Sequence, residues 1–74
     1  MWFEAESGGL RFQLRLENGE VSGTGWLLGP IGDDWHIAPR PVAEFLADPP
    51  GGAPDELLAA IAEAAGLPFT SPRA

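Results

Sequence analysis

The sequence predicts an α+β fold: a three- or four-stranded antiparallel meander followed by one short and one longer helix packed on the sheet. Three observations carry this. Apolar and polar residues alternate from Leu10 to Leu28, the period of a half-buried strand. That run is interrupted by Asn18-Gly19 and preceded by Gly8-Gly9, residue pairs suited to the positive φ angles of tight hairpin turns. Beyond Pro41 the apolar spacing changes to i, i+3, i+4, the period of a helix.

Strands near 1–7 and 10–17 pair across Gly8-Gly9, which places Trp2 opposite Arg15, Phe3 opposite Leu14, Ala5 opposite Phe12 and Glu6 opposite Arg11. One face is then apolar, with Phe3, Ala5, Leu10, Phe12, Leu14 and Leu16. The other carries Trp2, Glu4, Glu6, Arg11, Gln13, Arg15 and Glu17, with opposite charges at Glu6 and Arg11 and a Trp2–Arg15 stack. Asn18-Gly19 leads into a strand near 20–28 and sets Leu14 opposite Gly23, Phe12 opposite Gly25 and Arg11 opposite Trp26. Both glycines fall on the apolar face, where Phe12 and Leu14 lose their cross-strand neighbours. An aromatic folding across, a close helix or a ligand must fill that space. Glu17 opposite Glu20 is a like-charge pair that argues for a bulge or a longer turn.

Gly29-Pro30-Ile31-Gly32-Asp33-Asp34 reads as a turn-rich connection, and a short fourth strand near 35–38 follows, with Trp35 and Ile37 on one face. Pro39 is expected to end it, because proline cannot donate to a ladder. Pro41 opens the short helix near 41–47, whose stripe is Val42, Phe45 and Leu46. Asp48 to Ala53 is a proline- and glycine-rich linker. The longer helix, near 54–65, has Asp55 and Glu56 at the positive end of its dipole and Gly66 at its C-terminal cap. Its alanines make it slim, so Ala62 and Ala65 are expected to pack on Gly23 and Gly25 or to wall a pocket beside them. The chain, residues 1–74, reads as a single small domain with a frayed C-terminus from Thr70 to Ala74.

Composition narrows the function more by exclusion than by assignment. Four Arg and no Lys stand against eleven carboxylates, a net charge of −7 spread evenly along the chain, so direct nucleic-acid or anionic-membrane binding is disfavoured. The absence of cysteine removes disulfides and thiolate chemistry. No apolar run approaches the length of a membrane span, and the acidic Met1-Trp2-Phe3-Glu4-Ala5-Glu6 start is unlike a signal peptide; a soluble, cytoplasmic protein is expected.

Asp33, Asp34 and His36 do not have the spacing of an ordinary metal site, and Ser22 or Thr24 with His36 makes only a nominal nucleophile–base pair. The glycines match neither phosphate-binding motif. No metal and no cofactor are called for. Residues Gly23-Thr24-Gly25-Trp26-Leu27-Leu28-Gly29-Pro30 are similar to one strand element of trypsin-like serine peptidases. The likeness stops there: Trp35-His36-Ile37-Ala38 lacks the Thr-Ala pair before that family's histidine, no Gly-Asp-Ser-Gly segment follows, and no family role carries over.

Trp2, Arg11, Arg15 and Trp26 form an aromatic and guanidinium strip on the polar face, made of the residue types most enriched at binding hot spots. The leading expectation is therefore a non-enzymatic protein-binding module, of inhibitor, immunity-type or accessory kind, whose partner is itself or another protein. Alternatives are a homo-oligomeric structural protein, an acidic nucleic-acid mimic that binds a basic protein, and a small-ligand module using the Gly23/Gly25 patch. A helix on each face of the sheet would bury the strip.

Overall fold

The computed structural model describes residues 1–30 and 32–70. Strands β1 (Trp2–Ser7), β2 (Leu10–Glu17), β3 (Glu20–Leu27) and β4 (Asp33–Pro41) form one antiparallel sheet in the order β1-β2-β3-β4, followed by helices α1 (Val42–Ala47) and α2 (Asp55–Ala65). This is the four-stranded form of the expected meander. Readings that fall on Ile31 and on residues 71–74, including the fraying of the terminus, lie outside the described residues.

Both hairpins keep two-residue turns with positive φ at each central residue, 58° and 80° at Gly8 and Gly9, 53° and 76° at Asn18 and Gly19. The resulting registers are those read from the alternation: Trp2 faces Arg15, Phe12 faces Gly25, Leu14 faces Gly23 and Arg11 faces Trp26. Glu17 does face Glu20, without the expected bulge or longer turn. The Arg15 guanidinium pairs with the Glu17 carboxylate, which offsets the like-charge contact while leaving the turn intact.

The fourth strand departs from expectation. It runs to Pro41 and passes through Pro39 rather than stopping there. Val21 faces Arg40 while Gly23 faces Ile37, so Ala38 and Pro39 together stand opposite Ser22 in a bulge. A bulge on an edge strand is one of the few sheet positions where a missing N–H is tolerated, which is how the ladder survives the proline. The extra residue has a second effect: it turns Arg40 toward the helices. There its guanidinium donates to the carbonyls of Asp48 at 3.1 Å and Glu44 at 3.2 Å. α1 has no basic residue in its own last turn, and Arg40 satisfies its C-terminal carbonyls from the neighbouring strand.

The core lies between one face of the sheet and the helices. Phe12, Leu14, Val21, Phe45, Leu58 and Ile61 are its fully buried large side chains. Each contributes about 1.5–3 kcal/mol relative to exposure. α1 sits toward β3 and β4, and its first amide, Val42 N–H, donates to Gly19 O at 2.9 Å. α2 sits on the β1 side. It ends at Gly66, φ 72°, where Gly66 N–H donates to Glu63 O and Leu67 N–H to Ala62 O, closing a Schellman motif.

Candidate functional site

Alternation along β1, β2 and β3 sends every second side chain away from the helices, and both helices lie on the apolar side. The other face is consequently open. Trp2 and Arg15, cross-strand partners at one end of the β1–β2 pair, stack with the guanidinium carbon 5.8 Å from the ring centroid. Arg11 and Trp26, partners across β2 and β3, repeat the arrangement at 5.6 Å. Exposed cation–π contacts of this kind are worth about 0.5–1 kcal/mol each. The strip is held from both sides, since Arg11 also approaches Glu4 at 3.7 Å and Arg15 pairs with Glu17. Glu6, the direct partner of Arg11 in register, does not take the ion pair; the long Arg11 side chain reaches the diagonal carboxylate while lying against Trp26.

Exposure differs along the strip. Trp2 is 59% exposed, whereas Trp26 is half-buried beside a concavity of about 370 Å³ that Arg11, Leu27, Leu28 and Asp34 border. Leu27 and Leu28 are themselves exposed. One end of the strip therefore offers a projecting aromatic and the other a recess with an apolar rim.

The second group of sequence-derived candidates behaves differently. Gly23 and Gly25 do not seat α2, and Ala62 and Ala65 are not what fills the thinned patch. A Cβ at Gly25 would lie 2.5 Å from Cζ2 and 2.6 Å from Cε2 of Trp35, so the indole of the facing strand occupies that space. The same indole meets Phe12 edge-on, with centroids 6.2 Å apart and planes at 85°. At Gly23 the obstacle is backbone: an added Cβ would run into the carbonyl oxygen of Gln13 and lie 2.9 Å from Leu14 Cα. Ala62 is buried and Ala65 partly so, but on a helix nearest β1. Of the three possible fillers, an aromatic folding across is the one found at Gly25, while at Gly23 the β2 backbone leaves no slot to fill. The alternation puts Trp35 in the fourth strand on one face with Ile37, but its pairing with Gly25 escaped sequence reading because the β3–β4 connection and the bulge leave that register without a turn signal; a glycine facing an empty slot and a strand tryptophan without a partner were the available clue.

Asp34 and His36 face Trp26 and Thr24 and share the open face, while Asp33, opposite Leu27, accepts a hydrogen bond from the Asp34 N–H at 3.0 Å. Among the described residues no group of three or more His, Cys, Asp or Glu is arranged to hold a metal ion. No helix among them is long and apolar enough to cross a membrane. No protein-family model matches the chain, and comparisons with curated proteins and with solved structures likewise found no match.

Proposed function

We propose that this protein is a non-enzymatic protein-binding module, of inhibitor, immunity-type or accessory kind, that presents the open face of its sheet to a protein partner. One observation supports this above the rest: Trp2, Arg15, Arg11 and Trp26 stand together on a rigid strand scaffold, with the helices on the opposite side. Arg and Trp combine apolar area with directional donors, and a β scaffold holds them with little ordering cost on binding. Arg11 and Arg15 also interrupt the carboxylates of this face, which favours a mixed-charge protein surface over a continuous phosphate-like stripe.

Selection of random peptides from a display library against the immobilised protein tests the reading. Independently selected binders are expected to compete with one another and to lose binding to Trp2→Ser and Trp26→Ser. Binders that ignore both substitutions would place the interaction elsewhere. Size-exclusion chromatography with light scattering separates a heterologous partner from self-assembly: a monomer whose mass does not change with concentration is expected.

A further inference from the structure

The outer edge of β1 is a second surface, bordering the open face but recognised through its backbone rather than through the tryptophan and arginine side chains. Met1 and Leu16 exchange two hydrogen bonds, Leu16 N–H to Met1 O at 2.8 Å and the Met1 amino group to Leu16 O at 3.3 Å. Bonded and non-bonded pairs alternate along an antiparallel ladder, so Phe3, Ala5 and Ser7 direct their backbone groups to β2. Trp2, Glu4 and Glu6 direct theirs outward. β1 is a terminal strand of the sheet and contains neither proline nor bulge. Beside it, a groove of about 710 Å³ runs between the strand and the first half of α2. Phe3, Ala5, Leu57 and Ala60 give this groove an apolar floor with Asp55 and Glu56 on its helix side, while the carboxylates of Glu4 and Glu6 stand on the other face of the same strand, where Arg11 approaches Glu4 at 3.7 Å.

We propose that this edge takes an extended basic segment of another protein as a fifth strand. Backbone hydrogen bonds to Trp2, Glu4 and Glu6 hold the added strand, and its alternate side chains divide between the two faces. Basic side chains lie over Glu4 and Glu6, and small apolar ones enter the groove against Phe3, Ala5, Leu57 and Ala60. Charge complementarity selects this occupant over a second copy of the chain. Antiparallel pairing of two β1 strands centred on Glu4 sets Glu4 against Glu4, and like charges directly opposite are destabilising. A net charge of −7 on each copy adds to the repulsion. The far edge of the sheet does not offer the same surface, because β4 is bulged and carries Pro39 and Pro41.

Fluorescence anisotropy with a capped peptide of alternating valine and lysine measures the interaction directly. Binding is expected, falling roughly tenfold or more between low and high salt, and a valine–glutamate peptide is expected not to bind. N-methylation of the peptide amides in one alternating phase should abolish binding, and in the other phase leave it within about twofold. Glu6→Pro removes an outward N–H that no internal ladder bond uses and is expected to abolish binding, while Glu6→Gln only weakens it. Circular dichroism checks that Glu6→Pro is folded; should it unfold, the two N-methyl series decide alone. Absence of binding, equal binding of the acidic peptide, indifference to both methylation phases, or loss on Trp26→Ser with Glu6→Pro unaffected each overturns the proposal. So does a dimer that Glu6→Pro dissolves, since the occupant is then a second copy. Failure of the strip reading shows instead as indifference to Trp2→Ser and Trp26→Ser, and leaves this edge untouched.

Discussion

The two faces of the sheet are made by the same strands and the same alternation, yet they use large side chains in opposite ways. On the helix side Phe12, Leu14 and Val21 are fully buried, and the places where side chains are missing are filled to contact by Trp35 and by β2 backbone. On the open side Trp2 and Trp26 are neighboured by guanidinium groups and carboxylates and remain accessible to solvent. The difference teaches where free energy resides in so small a chain. One face supplies stability, and the other stays open to solvent, as the proposed binding role requires.

If that division holds, the largest effects belong to the covered face. Phe12→Ala is expected to cost about 3–5 kcal/mol, since it removes a fully buried ring and opens a cavity under the helices. Urea unfolding followed by circular dichroism reads it, and a cost below about 1 kcal/mol would show that the face can collapse around the gap. Gly23→Ala is expected to follow at about 3 kcal/mol, because the new methyl group meets the backbone of Gln13 and Leu14 rather than a movable side chain. Gly23 also has φ +155°, a conformation that residues with a Cβ rarely adopt. Both terms act in the same direction.

Gly25 sharpens the comparison, since its obstacle is the far end of a side chain. Gly25→Ala is expected to cost about 1–3 kcal/mol, the usual range for overpacking. Trp35→Ala, which strips the cover from Phe12, should cost a similar amount. Combined, the two substitutions should cost less than their sum, because the clash vanishes once the indole is gone. Additivity within about 0.3–0.5 kcal/mol in a double-mutant cycle would mean the indole does not occupy the slot.

How much of this was legible follows from which residues carry local signals. Asn18-Gly19 and Gly8-Gly9 determine their turns by backbone chemistry, and a one-residue slip would expose Phe12 and Leu14, so the registers of the first three strands could be read residue by residue. The strip of Trp2, Arg11, Arg15 and Trp26 came with them. Nothing comparable ties β4 to β3: proline normally argues against a strand interior, and only the bulge opposite Ser22 makes Pro39 acceptable. Arg40 inherits its role from the same bulge, which turns it to α1 by a one-residue offset that no propensity encodes. The groove beside β1 depends on where α2 docks, a tertiary outcome that the alanine pattern left open.

The smallest stability effects, and the decisive ones for the comparison, lie on the open face. Trp26→Ser removes a half-buried ring, its contact with Arg11 and one wall of the neighbouring recess. The lost cation–π contact is worth about 0.5–1 kcal/mol, and the loss of partial burial adds to it without leaving an internal cavity. Trp2→Ser should cost less, because that indole is 59% exposed in the folded protein. The Arg11–Glu4 pair, about half exposed on both sides, adds little, since exposed ion pairs contribute about 0–1 kcal/mol. Both tryptophan variants should therefore unfold within about 1–2 kcal/mol of the parent while losing the selected peptides. Loss of folding on Trp26→Ser would make the strip part of the core after all. Retained folding with lost binding separates the two faces by function, because the same residue type would then be dispensable for the fold and required for the partner.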